Sequence, residues 1–559
     1  MIEKIITIIS LILIIPSFYL VLRYNLHMFQ QNGYKSAEHF KWFRKNFGRQ
    51  NVLTVFIIPV VFLALFDKVS FDYRFGFKLL VLAVLIFLVF YYNFLRRENS
   101  KKKLVFTNRV KRILFTNIVV ALLIPFLVAA IGAGFEDLSR FGKYCYLTAL
   151  IMITAEPYLI LLSNFINKPV EKGINQHYIN DAKRILNDVS PVVIGVTGSY
   201  GKTSVKYFLK TLLEEKYDVL ITPESYNTPM GVVRTIREQM KKTNQIFVCE
   251  MGARHVGDIK EICDIVHPKH GIITAVGPQH LETFFNIENI KKTKFELADA
   301  LPDDGMLFLN GDSENIVDFV NENKEKYGKA FFYHVVNNEA DDHAADDTEK
   351  ASAEIISNSY KASDISLSAS GTSFTVTSPS GETEHFEMRL VGGYNLTDVL
   401  GAISVANQMG ISLHDLTVPV RRLRPVEHRM QLIDKGGNVS IIDDAYNSNP
   451  AGSKAAVETL NMFDGMHILI TPGMVELGHK EYEYNKAFGT YAAANCDYVL
   501  LVGERHTKPI KEGLEDAGFP SERIHVFDKL EMAVNFAYRI STEKHKFILL
   551  ENDLPDNYN

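Results

Sequence analysis

Cysteine is scarce in this chain: Cys145, Cys249, Cys263 and Cys496 are the only four in 559 residues. None forms a CxxC pair or stands beside a histidine at zinc-ligand spacing, which argues against both a zinc module and a disulfide framework. The four read as reduced, structural thiols. Excess charge of one sign is also missing. The formal net charge is -5, so nothing in the totals draws the chain toward nucleic acid. No internal repeat is visible. Nor does the chain open on a cleavable signal peptide. Its first apolar run, residues 5–22, is too long, lacks a small-residue cleavage site and is followed by four more such runs.

What the chain has instead is a greasy beginning. Residues 5–22, 52–66, 79–95, 113–131 and 146–165 are dominated by Ile, Leu, Val and Phe. A helix needs ~20 apolar residues to cross a bilayer, and 52–66 is the weakest of the five. The stretch after the first run carries Arg23, Lys35, Lys41, Arg44, Lys45 and Arg49. The stretch after the third carries Arg96, Arg97, Lys101, Lys102, Lys103, Arg109, Lys111 and Arg112. The positive-inside rule places both in the cytoplasm. Five crossings then leave the N-terminus outside and everything after residue 165 inside. The basic stretches also suit anionic lipid or a phosphorylated lipid carrier, though such charges more often only fix topology. Few charged residues stand centrally in the runs, which disfavours a polar conduit.

After Lys168 the pattern changes. Strand-like apolar runs alternate with helical periodicity, as in a doubly wound α/β sheet. Residues 192–196, 246–250, 270–275 and 306–309 read as strands, and 202–215 as a helix. Residues 337–350 are acidic and small and read as a surface loop. Residues 353–390 alternate like a sheet extension. A second α/β pattern begins near Val439, with strands expected at 439–442, 467–470, 498–502, 524–527 and 547–550. The organisation expected is a membrane domain at 1–168 and two α/β domains, at 169–425 and 426–559, the second Rossmann-like.

The first strand and helix enclose "GVTGSYGKTS". Glycines let a backbone wrap a phosphate with its N–H groups inward, and the helix start adds a positive end. Gly198, Ser199, Tyr200, Gly201, Lys202, Thr203 and Ser204 are the expected phosphate-binding residues. Lys202 meets the outer phosphates and Thr203 ligates magnesium. A standard Walker loop wants glycine five residues before Gly201. That position is Val196, and the glycine stands instead at 195.

This offset resembles the Mur ligases, ATP-dependent amide-forming enzymes of peptidoglycan precursor synthesis. The resemblance covers roughly residues 193–554. "CEMGARHVGDI" (249–259), "TAVGPQHLETF" (274–284), "TKFEL" (293–297), "HRMQ" (428–431) and "IIDDAYNSNP" (441–450) follow in the family's order. "DDAYNSNP" and "GMVELG" (473–478) are similar to the MurF branch, which adds D-alanyl-D-alanine to a UDP-linked muramoyl tripeptide. The resemblance implies ATP and two magnesium sites. Glu250 and Thr203 serve the first; His280 helps hold the second together with Lys294, the lysine that the family carbamylates. It implies nucleotide contacts for Asn310, Asp312, Arg429 and Asp444, and substrate contacts for Tyr446, Asn447 and Asn449 as the C-terminal domain closes. Lys202, His280, Lys294 and Arg429 are the catalytic set so implied.

Three departures bear on the substrate. The membrane block stands where MurF enzymes carry a domain for the UDP-sugar. Tyr394 and Asp398 stand where the family often has His and Asn. The end "LLENDLPDNYN" lacks the branch's Gly-Ser-Arg stretch. The expectation is a ligase anchored in the bacterial cytoplasmic membrane, joining an amino acid or short peptide amine to an envelope precursor, lipid-linked or otherwise membrane-associated. The alternatives are the MurF reaction proper with an added anchor, an ATPase driving export of an envelope polymer, and an inactive recruiting partner. Intact Lys202, Glu250, His280, Lys294 and Arg429 argue against the last.

Overall fold

The computed structural model describes residues 2–45, 71–92, 103–133, 135, 137–336, 358–434, 436–446 and 448–553. It divides into two compact units, Met1–Gln176 and His177–Asn559.

The first unit is helical, with helices Ile2–Gln31, Ser36–Lys45, Phe71–Phe90 and Asn108–Ala133 and most of a fifth, Leu138–Val189. Three stretches, Ile8–Gln31, Asn108–Gly132 and Arg140–Val189, are long and apolar enough to cross a membrane, by length and composition only. The run at 52–66 lies outside the described residues. Small cores such as Val21, Val81, Leu85, Leu88, Leu150 and Ile153 join the helices. Large apolar side chains elsewhere point outward: Ile15 is 73%, Leu122 69% and Ile131 86% exposed. Two expectations are corrected. Arg23 belongs to the first helix rather than to a loop after it. The last helix runs on past 165 for a further 24 residues to Val189, with Pro157 and Pro169 inside it. Its composition turns polar there while its backbone stays helical.

The second unit holds two sheets. In the first, β1 (Val192–Thr197), β2 (Val219–Ile221), β3 (Ile246–Glu250), β4 (His270–Ile273), β5 (Leu307–Asn310) and β6 (Phe331–Val335) are parallel. They are extended by β7 (Ser359–Ser368), β8 (Gly371–Thr377) and β9 (Thr383–Met388), giving the order β2-β3-β1-β4-β5-β6-β7-β8-β9. The last two pairings are antiparallel, so the alternation after residue 358 does extend the sheet. The expected loop at 337–350 lies outside the described residues. β1 and its neighbours are near-continuous Val and Ile, as strands buried on both faces require.

The second sheet consists of β10 (Gln431–Asp434), β11 (Val439–Asp444), β12 (Met466–Thr471), β13 (Tyr498–Val502), β14 (Ile524–Phe527) and β15 (Lys546–Glu551). Its order is β10-β11-β15-β12-β13-β14, parallel except at β10. In both sheets the polar residues expected to act gather where strands end, the place where open α/β sheets bind ligands.

Candidate active site

The phosphate loop begins where β1 ends. Gly201 has φ 81 and hands the chain to helix Lys202–Leu213. A side chain at Gly201 would run into the Asp398 carboxylate on helix Gly393–Gln408, so glycine is required on two counts. No protein acceptor meets the backbone N–H groups of Lys202, Thr203 and Ser204 among the described residues. Three donors at a helix start are thus available to an anion. Lys202 Nζ rests on the carbonyls of Gly198 and Ser199, at 2.7 and 3.0 Å. Burial depresses it to about 8, against the pull of Glu250 and Asp398.

Ser199 and Tyr200 also brace the loop. The Ser199 amide donates to Ala275 O and its hydroxyl to Gly277 O, at 2.7 and 2.9 Å. Tyr200 packs beside Tyr394, ring centroids 6.2 Å apart. Its carbonyl accepts from the Thr274 hydroxyl. Asn310 donates to Thr274 O at 2.8 Å and accepts the Asp312 amide at 2.8 Å. Asp312 accepts the Val335 amide at 3.1 Å, and burial lifts its carboxyl to about 6. Asn310 therefore ties the end of β5 to Thr274, and Asp312 ties it to β6.

Glu250 closes β3 and turns its carboxylate toward the loop. Thr203 donates to it at 3.2 Å, Asn227 at 3.0 Å and Lys206 at 2.8 Å. Lys206 and Glu250 form a buried ion pair, the lysine side chain wholly inaccessible. Burial alone would raise the Glu250 carboxyl. Lys206 and Lys202 more than offset it and hold it below the ordinary value. Sequence reasoning missed Lys206 and Asn227. Lys206 was within reach, since it lies four residues after Lys202 on one helix face.

Lys294 is nearly inaccessible on helix Ile287–Asp299, with no hydrogen bond or ion pair to Nζ among the described residues. Burial, and then the neighbouring Lys202, push its proton affinity well below the ordinary lysine value. His280 sits close by in a left-handed conformation, φ 51. Its Nδ1 contacts Glu476, which also meets Arg254 at 3.4 Å. Burial favours the neutral ring, with Glu476 pulling the other way. Glu476 was missed; it lies inside "GMVELG", but nothing local ties it to a histidine 196 positions earlier.

Gly195 lies within β1, as the strand expected at 192–196 has it, in register with Gly271 of β4. A Cβ there would come within 2.6 Å of Leu297, and one on Gly271 within 3.0 Å of the same side chain. The two glycines form a notch for Leu297, and that seats the helix carrying Lys294.

From the second sheet, Arg429 stacks on the Tyr446 ring at 4.7 Å and interacts electrostatically with Asp398, Asp444 and Lys202. Burial lifts Asp398 to about 8 and Asp444 to about 6, against this arginine. Asp444 accepts the Met430 amide at 3.2 Å. Tyr446 meets the Ser225 hydroxyl. Asn449 caps helix Pro450–Thr459 by accepting from Gly452 N at 2.9 Å, a structural use of its side chain. Asn447 lies outside the described residues. Glu551, at the end of β15, accepts from Thr471 at 2.8 Å and from Ser448.

Thr203 and Glu250 fit one magnesium ion: two hard oxygen donors beside a ready phosphate cradle. No cluster of three His, Cys, Asp or Glu forms a complete metal site among the described residues. A second ion at His280 and Lys294 fits only once the lysine bears an anionic group.

Comparison with known proteins agrees with this geometry. Residues 196–406 match the Mur ligase middle domain, and 428–551 the Mur ligase, glutamate ligase domain. The UDP-N-acetylmuramoyl-tripeptide--D-alanyl-D-alanine ligase of Bacillus subtilis (strain 168) is 28% identical over 58% of this chain and 65% of its own length. The Escherichia coli (strain K12) protein of the same name is 26% identical over 61% and 72%. The chain thus spans just under two thirds of the Bacillus relative. Among solved structures, MurF from Acinetobacter baumannii aligns with TM-score 0.58 and 22% identity over 68% of this chain and 77% of its own. MurF ligase from Thermotoga maritima in complex with ADP aligns with TM-score 0.56 and 23% identity over 68% and 80%. At such identity these likenesses concern the fold. Both family matches begin after the helical unit.

Proposed function

The chain belongs to the Mur ligase family, and on that premise we propose that it is a membrane-anchored, ATP-dependent amide ligase of envelope precursor synthesis. One observation carries the reading: a phosphate cradle, a metal-ready carboxylate and a buried lysine without a partner meet around Lys202. A cradle alone suits any ATPase. The partnerless lysine beside His280 suits the family's ligases.

In this reading a substrate carboxylate oxygen attacks the γ-phosphorus of ATP and ADP leaves. The amine then attacks the acyl carbon of the acyl phosphate, and phosphate leaves as the amide forms. Lys202 and the first-turn N–H groups neutralise charge on the transferring group. Magnesium held by Thr203 and Glu250 would supply further neutralisation. Lys206 keeps Glu250 ionised and aimed. Lys294, whose burial disfavours the charged form, adds CO2 through its neutral nitrogen and releases a proton, so that a carbamate stands beside His280. Arg429 and Asp444 approach the nucleotide from the second sheet. Tyr446 anchors that approach on Ser225.

The helical unit supports the anchor through its exposed apolar side chains and three sufficiently long helices. An anchor places the catalytic unit at the membrane surface, where a lipid-linked carboxylate resides. The name of the relatives favours a second reading, addition of D-alanyl-D-alanine to the UDP-linked muramoyl tripeptide. The test is ADP release by detergent-purified chain. Release that requires both a carboxylate and an amine and yields their amide supports the ligase; turnover without a new amide overturns it. Running lipid-linked against UDP-linked acceptors separates the two readings.

A further inference from the structure

The polar side chains of the helical unit form a seam. On helix Leu138–Val189, Glu156, Ser163, Asn167 and Glu171 are all buried and recur on one face. Helix Asn108–Ala133 meets them rung by rung. Arg112 Nε donates to Glu171 at 2.6 Å, and Asn167 Nδ2 to Thr116 Oγ1 at 2.8 Å. These two rungs are paired.

The innermost rung is not. Asn117 Nδ2 donates to Glu156 Oε1 at 3.2 Å. Asn25, from the first helix, faces the same carboxyl, while its Nδ2 donates to Val21 O at 3.0 Å. Glu156 and Asn117 are 0% exposed and Asn25 1%. Glu156 Oε2, Asn117 Oδ1 and Asn25 Oδ1 are buried with no hydrogen-bond partner among the described residues. Each such oxygen costs about 1–3 kcal/mol if it stays unmet. One belongs to the carboxylate and two to the amides beside it, and the three come from three helices.

We propose that Glu156, Asn117 and Asn25 bind one monovalent inorganic cation, sodium. The ligands are hard oxygens, which select hard ions over thiophilic ones. One carboxylate balances one positive charge, whereas a divalent ion would leave an uncompensated charge in an apolar helical interior. A proton on Glu156 would give a donor to only one of the two amide oxygens. Sodium satisfies all three at once, and the small number of side-chain oxygens suits a small ion. Ionisable side chains in such helices mark ion and substrate sites. The helical unit then has a ligand of its own, independent of the ligase chemistry.

Full-length chain in detergent provides the test. Equilibrium binding of radioactive sodium should show one saturable site per chain, and sodium replacing choline at fixed pH and ionic strength should raise the melting midpoint. Glu156→Gln should weaken sodium binding about tenfold or more, ~1.4 kcal/mol, with ATP affinity unchanged as the fold control. Absence of saturable binding in the unaltered chain, or equal binding in Glu156→Gln, overturns the site. A midpoint that responds to pH but not to sodium also overturns it and assigns Glu156 a proton. If Glu156→Gln does not fold, the stoichiometry of the unaltered chain decides alone.

Discussion

The two units solve opposite problems with the same amino acids. The α/β unit hides its Val, Ile and Leu between sheets and helices and gathers its buried charges at strand ends. The helical unit turns large apolar side chains outward, Ile15 and Leu122 among them, and draws Glu156, Asn117 and Asn25 inward. In the first, a buried charge finds an ion-pair partner, as Lys206 does in Glu250. Lys294 stands apart: it is buried with no ion pair to Nζ among the described residues, and Asp258 and Glu296 act on it only electrostatically. The contrast teaches that burial by itself does not mark a site. A buried group lacking partners among the described residues and standing beside further polar groups is the better marker: Lys294 near His280 in one unit, Glu156 with Asn117 and Asn25 in the other.

The sharpest way to break that comparison is to remove the partnerless group of the α/β unit. Lys294→Ala should lower amide formation about a thousandfold, the scale of losing one well-placed electrostatic group, and short carboxylic acids should restore part of it. Retained activity would make Lys294 a packing residue. The paired case differs in kind. Lys206→Met strands the Glu250 carboxylate and should destabilise the unit by about 3–5 kcal/mol, read as a lower thermal midpoint without nucleotide. An unchanged midpoint would mean that Asn227 and Thr203 suffice to hold Glu250.

The outward face of the helical unit tests the other side. Leu122→Arg should cost about 2.5–3.5 kcal/mol of membrane insertion, whereas arginine on a water-facing helix costs nearly nothing. Insertion assays on the full chain that register no difference between Leu122→Arg and Leu122→Ser would place this face in water.

Much of the α/β unit was legible because its signals are local. β3, β13 and β14 fall where the apolar runs end, and the loop from Gly198 to Ser204 declares itself by glycines between strand and helix. Glu250 was readable as a carboxylate closing a strand. What stayed hidden depends on distant chain. Nothing near Gly195 says why that strand position is glycine; the reason is Leu297, far along the chain, whose side chain fills the notch. Glu476 has no sequence tie to His280, and nothing near Ser199 announces the Gly277 carbonyl that holds it. Asn449 is the reverse case. Asn before Pro at a helix start is a local capping signal, and family resemblance drew attention to a substrate role instead. In the helical unit, composition revealed the spans but not the seam, because a spacing of seven, four and four matters only once the facing helix is known.

The smallest effect concerns the proton on Lys202. Burial brings its ammonium to about 8 in the free protein, below the ordinary 10.5. ATP phosphates beside it would draw that value back up, because an opposite charge favours the ionised form. Binding above pH 8 therefore takes up a proton that the free protein has already lost. The affinity for ATP should fall as pH rises through about 8, by up to about tenfold per pH unit, levelling off near the bound-state value. ATP itself carries its full charge over this range, so the slope belongs to the protein. Lys202→Arg keeps its charge throughout and should bind with a shallower profile, the remaining fall belonging to Asp398, whose carboxyl burial lifts to about 8. A flat profile in the unaltered chain would mean that Lys202 keeps its proton despite burial, and that Glu250 and Asp398 offset more of the desolvation than the cradle's geometry implies.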